Sequence, residues 1–84
     1  MIKILLSRKL GELRWTQAEL SRVTGIRPTT INEYYHDMAD RINLDHLDLI
    51  CEALGCDLGE IIVRVPNPMP RVNTLKAGNK IHSP

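Results

Sequence analysis

The stretch Thr16 to Asp37, TQAELSRVTGIRPTTINEYYHD, constrains the fold more than any other part of this 84-residue chain. Thr16 followed three positions later by Glu19 forms T-x-x-E, a capping box. Its hydroxyl and carboxylate each satisfy a backbone N–H that the first helical turn leaves without a partner. The spacing predicts a short helix from Gln17, with Leu20 and Val23 turned inward. Gly25 suits the left-handed residue that ends a helix, and Ile26 a buried turn position. Pro28 fits the first position of a second helix, where its missing N–H costs nothing. That helix, about residues 28–35, puts Ile31 and Tyr34 on one face and Thr29, Asn32, Glu33 and His36 on others. Two short helices joined by a tight turn containing glycine describe a helix-turn-helix.

The remainder of the chain surrounds this unit. Eighty-four residues make one small domain with a modest core and little room for a catalytic cleft. With no Phe, and only Trp15, Tyr34 and Tyr35 as aromatics, that core must be mostly Leu, Ile and Val. Leu6, Leu10 and Leu13 recur at helical spacing and predict a first helix from Leu6 to Arg14, with Trp15 as a core anchor. Gly11 within it is expected to admit another helix closely. Residues 38–43 link the motif to a helix that Asn43 can cap and Gly55 can end, with Leu47, Ile50, Cys51 and Leu54 as its buried stripe. Asp57 and Glu60 repeat a capping-box start, and Leu58, Ile61 and Ile62 predict a short fifth helix.

Ile2 to Leu5 reads either as a strand or as the frayed start of the first helix. If the run ending at Val65 is extended, the two segments are natural partners in a small two-stranded sheet. The folded domain is expected over residues 1–65. Pro66, Pro68 and Pro70 end regular structure, and residues 66–84 read as a Pro-rich flexible tail.

Charge is distributed unevenly. Residues 1–32 carry six basic and two acidic side chains, residues 33–60 one basic and eight acidic, and residues 61–84 four basic and none acidic. A net charge of +1 hides this split, which suits a polyanion on one side of the fold. The N-terminal MIKILLSRKL does not read as a secretory signal, no segment approaches a membrane span, and two cysteines are too few for a disulfide scaffold. The expectation is a cytoplasmic protein with reduced thiols and no membrane contact.

The ordered set Thr16-Gln17, Leu20, Ser21, Gly25-Ile26 and Ile31, continued by Leu44, Leu47, Ala53-Leu54-Gly55, Leu58 and Ile61-Ile62, resembles the Cro/C1-type helix-turn-helix family. The resemblance covers roughly Leu6 to Val63. It implies an all-α, five-helix, lambda-repressor-like DNA-binding domain acting as a transcriptional regulator, as a repressor and a homodimer on a double-stranded operator. The chain departs from the family pattern at Arg14, where Gly often ends the first helix, at Ser21 in place of Ala, and at His36-Asp37 in place of Asn-Gly.

In a helix-turn-helix the second helix enters the major groove with its N-terminal residues foremost. Here those are Arg27, Pro28, Thr29, Asn32 and Glu33. Asn32 can pair in bidentate fashion with adenine, Thr29 can bond a base edge or press its methyl on thymine, and Arg27 can reach guanine or a phosphate. Glu33 either accepts from cytosine or only repels phosphates. The resemblance places Gln17 on a phosphate and against the recognition helix. Arg14, Arg22 and Tyr35 are candidate backbone contacts, and His36 either lies near a phosphate or is simply exposed.

No metal or cofactor is expected. His46 and Cys51 point about 140° apart on one helix, Cys56 lies past the Gly55 cap, and no C-x-x-C or H-x-x-x-H spacing occurs. Both cysteines read as small buried hydrophobes. Nothing resembles a phosphate loop or a nucleophile elbow, so an enzyme is not expected. The rival reading is a protein-binding module of the same fold, such as an antitoxin or an adaptor acting through its acidic half.

Overall fold

The computed structural model describes residues 1–72. Strand β1 (Ile2–Ile4) leads into helices α1 (Leu6–Leu13), α2 (Gln17–Thr24), α3 (Pro28–Tyr35) and α4 (Leu44–Leu54). A 3-10 turn (Leu58–Glu60) and strand β2 (Ile62–Arg64) follow. Helix α2 packs on both α3 and α4, and α1 packs on α3. Between the helices lies a single core of Leu6, Leu10, Leu20, Ile26, Ile31, Tyr34, Leu47, Ile50, Leu54 and Ile61. Most of these are aliphatic, as the composition demanded.

β1 and β2 form the antiparallel pair, with Ile2 opposite Arg64, Lys3 opposite Val63 and Ile4 opposite Ile62. Flanking backbone bonds from Leu5 N–H to the Ile61 carbonyl (2.7 Å) and from Val65 N–H to the Met1 carbonyl (2.8 Å) extend the pairing at both ends. The sheet thus joins the two ends of the folded segment.

The expected fifth helix is instead one 3-10 turn. Its capping box forms, with Asp57 N–H donating to Glu60 Oε2 at 2.8 Å. The helix does not propagate because the residues that follow Ile61, from the β-branched pair Ile62-Val63 onward, are drawn into the strand opposite β1. Leu58, which opens the turn, is 49% exposed, while Ile61 at its end is buried.

The inward face of α2 also differs from expectation. Val23 is 51% exposed. The stripe turned inward is Gln17, Leu20, Ser21 and Thr24, at the i, i+3, i+4, i+7 spacing of one helical face. Its polar members hide it from a hydropathy pattern. Leu13 is exposed because α1 stops there: Arg14 turns left-handed, at φ 59°, and the chain leaves the core face. Trp15, Cys51 and Cys56 are half-buried against the core, not fully inside it. Gly11 is exposed, and a side chain there would meet no neighbour. Of the expected tail, residues 66–72 carry no helix or strand, and residues 73–84 lie outside the described residues.

Candidate nucleic-acid interface

The turn between α2 and α3 is held by hydroxyl groups. Gly25 ends α2 at φ 78°, and its N–H donates to the Ser21 carbonyl at 2.9 Å. Thr24 Oγ1 donates to the Leu20 carbonyl (2.7 Å) and accepts from Ile26 N–H (3.2 Å). Ser21 Oγ donates across the turn to the Ile26 carbonyl at 2.6 Å. A residue that reads as a mere substitution for Ala therefore supplies the bond that fixes how α3 leaves α2. Arg27 is extended at ψ 142°, and Pro28 opens α3 at its first position.

Helix α3 is then divided sharply. Ile31 and Tyr34 are buried, whereas Thr29, Asn32, Glu33 and His36 form an exposed row at i, i+3, i+4 and i+7, led by exposed Arg27 and Pro28. Tyr34 is anchored from behind, with its hydroxyl 2.8 Å from His46 Nδ1 on α4. Tyr35 is half-buried, and the His36 ring stands edge-on to it with centroids 5.1 Å apart. The helix is thus rigid on its core side and free on its outer side.

At the start of α2 the capping box is complete. Glu19 N–H donates to Thr16 Oγ1 at 3.1 Å, and Thr16 N–H donates to Glu19 Oε1 at 2.8 Å. That backbone N–H, then the Thr16 hydroxyl, holds the Glu19 carboxyl below its usual range. Gln17 is half-buried at the first position of α2.

The cations fall into two sets. Lys3 lies 3.9 Å from Asp37, Arg8 lies 3.2 Å from Glu12, and Lys9 contacts both Glu12 (3.2 Å) and Glu60 (2.6 Å). Arg14, Arg22 and Arg27 are exposed and have no ion-pair partner among the described residues, nor do Arg41, Arg64 and Arg71. Arg14 ends α1, Arg22 lies in the last turn of α2, and Arg27 immediately precedes α3.

Asp37 is the positioning residue that the sequence pattern missed. It takes a left-handed conformation at φ 56°, just past α3, and its Oδ1 accepts from Ile4 N–H of β1 at 3.0 Å. The end of α3 is thereby tied to the sheet. The available signal was its place where the family pattern has Gly, since Asp tolerates the left-handed region better than most residues.

Among the described residues no group of three or more His, Cys, Asp or Glu side chains is arranged to hold a metal ion, and no helix is long and apolar enough to cross a membrane.

Comparison with solved structures bears on the fold. A "putative DNA-binding protein" from Bacteroides fragilis is 24% identical and superposes with a TM-score of 0.68, covering 75% of this chain and 100% of that one. The transcriptional regulator VanUg is 26% identical with a TM-score of 0.64, covering 79% of this chain and 89% of that one. No curated protein matches. The model of the Cro/C1-type helix-turn-helix DNA-binding domain matches residues 6–67, which take in every helix and both sides of the turn just described. The chain belongs to the Cro/C1-type helix-turn-helix DNA-binding family.

Proposed function

We propose that the protein binds double-stranded DNA sequence-specifically and regulates transcription as a cytoplasmic homodimeric repressor. The observation that carries the reading is the exposed row on α3. The side chains of Thr29, Asn32 and Glu33 stand free of hydrogen bonds and ion pairs among the described residues, on a helix whose opposite face is locked in the core. In this reading α3 lies in the major groove. Arg27, Thr29, Asn32 and Glu33 meet base edges or nearby phosphates, with Pro28 packed at the entry. Gln17, Arg14, Arg22, Tyr35 and His36 face the sugar-phosphate backbone, where they set register and affinity without reading sequence. One domain of this size covers a half-site. A two-fold pair reads an inverted repeat with half-sites about one helical turn apart, and occupancy of that operator blocks transcription. The reading requires no cofactor and no enzymatic step.

Selection of bound duplexes from a random library tests it directly. The expected result is enrichment of an inverted repeat, and a reporter carrying the enriched site should fall in expression when the protein is present. A library that emerges no different from its input would overturn the reading.

A second reading has one observation in its favour. Leu44 and Leu58 are 79% and 49% exposed beside a groove that Asp48 and Asp57 also line. An apolar patch among acids suits a protein partner that carries basic residues, as an antitoxin or adaptor would engage. This reading gains if the protein fails to bind any duplex at low salt.

A further inference from the structure

Two thiols meet where α4 ends. Gly55 is left-handed at φ 63°, and its N–H donates to the Cys51 carbonyl. Cys56 N–H donates to the same carbonyl at 3.1 Å. These two hydrogen bonds to one carbonyl wrap the chain back over the last turn. The residues they bring face to face are Cys51, in the last turn, and Cys56, just past the glycine. In helices that end this way an apolar contact frequently fills these two places. Here both side chains are thiols, both are free, and both line the same groove between α4 and the 3-10 turn. The groove is open: each cysteine is half-buried, and Leu44, Asp48, Asp57 and Leu58 on its walls are exposed.

We propose that Cys51 and Cys56 are a reversible disulfide site that clamps the end of α4, closed by small-molecule disulfides of the oxidised-glutathione class. The backbone bond from Cys56 to Cys51 holds the two residues at adjacent places on one groove wall, which is the arrangement a disulfide across the helix end would use. Burial is the main cause that pushes both thiols above their ordinary range, so the pair rests as thiols. Either thiol can start the reaction by giving up its proton to water. Its thiolate attacks one sulfur of oxidised glutathione, breaking that S–S bond and expelling one glutathione thiolate. The second thiol then loses its proton to water and attacks the protein sulfur of the mixed disulfide, expelling the second glutathione thiolate. The chain loses two hydrogens and two electrons, and two molecules of reduced glutathione form.

The full chain, freshly reduced, is equilibrated in glutathione buffers of rising oxidised fraction, quenched with acid, and read by intact mass and by non-reducing electrophoresis. The expected product is a single-chain species lighter by two hydrogens, which dithiothreitol reverses and whose melting temperature is higher than that of the reduced form. Cys51→Ser and Cys56→Ser should each instead carry one glutathione and never form that species. The proposal is overturned if the wild-type chain ends with a glutathione on each thiol, forms only chain-to-chain disulfides, keeps both thiols at the highest oxidised fraction, or melts lower once closed.

Discussion

Asn32 concentrates the specificity question in one side chain. It is exposed, one residue past buried Ile31 and three past exposed Thr29, in the middle of a helix only eight residues long. Asn is a poor residue for such a position, and no packing or hydrogen bond of its side chain among the described residues accounts for it. Asn32→Ala should leave the melting temperature unchanged or raise it. On the preferred site it should cost about 1–3 kcal/mol and relax the preference at one base pair, most readily an A·T. Fluorescence anisotropy on specific and random duplexes separates the cases, because equal losses on both would make Asn32 a backbone contact. Arg22, exposed and unpaired among the described residues, should behave in the opposite manner. Arg22→Ala should weaken every duplex alike and flatten the salt dependence by about one unit of slope. Steps that depended on helical period alone were legible at this scale, such as the separation of Ile31 and Tyr34 from Thr29, Asn32 and Glu33. Val23 was misplaced because the inward row of α2 is built from Gln17, Ser21 and Thr24. The two hydroxyl residues among them satisfy their polar groups against nearby carbonyls, which no hydropathy pattern records.

Elements here are held by their ends. Both capping boxes form as written in the sequence, because the bonds join residues three apart and depend on nothing distant. What the boxes start is another matter, since the second one opens only a 3-10 turn before Ile62-Val63-Arg64 is captured by β1, a partner nearly sixty residues away. These caps and the ion pairs of Lys9 carry a pH dependence whose sign is fixed. Glu19 is held low chiefly by the Thr16 N–H, Glu60 chiefly by Lys9, and Glu12 chiefly by Lys9. Each binds its proton more readily in the unfolded chain than in the folded one. The stabilisation is therefore present above the ordinary carboxylate pKa, about 4.3, and is lost as pH falls through the lower folded values. Thermal melts should be flat near neutrality and decline in acid. In Glu19→Gln, which keeps a capping side chain but cannot titrate, the decline should be shallower, and identical profiles for the two proteins would remove Glu19 from the account. Asp37 joins α3 to β1 in the same manner. Asp37→Ala loses an acceptor for Ile4 N–H and puts Ala in the left-handed region, for an expected cost of about 1–2 kcal/mol in urea unfolding. Asp37→Asn keeps both the acceptor and the tolerance and should stay within about 0.5 kcal/mol.

At the scale of the whole molecule the domain closes on itself where β1 meets β2, and Val65 N–H makes the last bond of that closure, to the Met1 carbonyl. Among the described residues, the buried core runs from Leu6 to Ile61. Among residues 66–72 only Asn67 is even half-buried. A chain cut after Val65 therefore loses no core side chain and no strand pairing among the described residues, and its melting temperature should match that of the full chain. The removed segment nevertheless carries Arg71, Lys76 and Lys80 and no acid, while residues 33–60 carry eight acids. Removing it shifts the balance of the molecule away from a polyanion. If the protein works on DNA, the truncated chain should bind specific and random duplexes with the same ratio as before. It should bind both more weakly, and the slope of log affinity against log salt should be shallower by about 0.9 for each phosphate the segment had neutralised. Titrations at several salt concentrations read both quantities. An unchanged slope would assign these cations no part in binding, and a loss confined to the specific site would mean that the segment orders the two subunits rather than attracting the duplex.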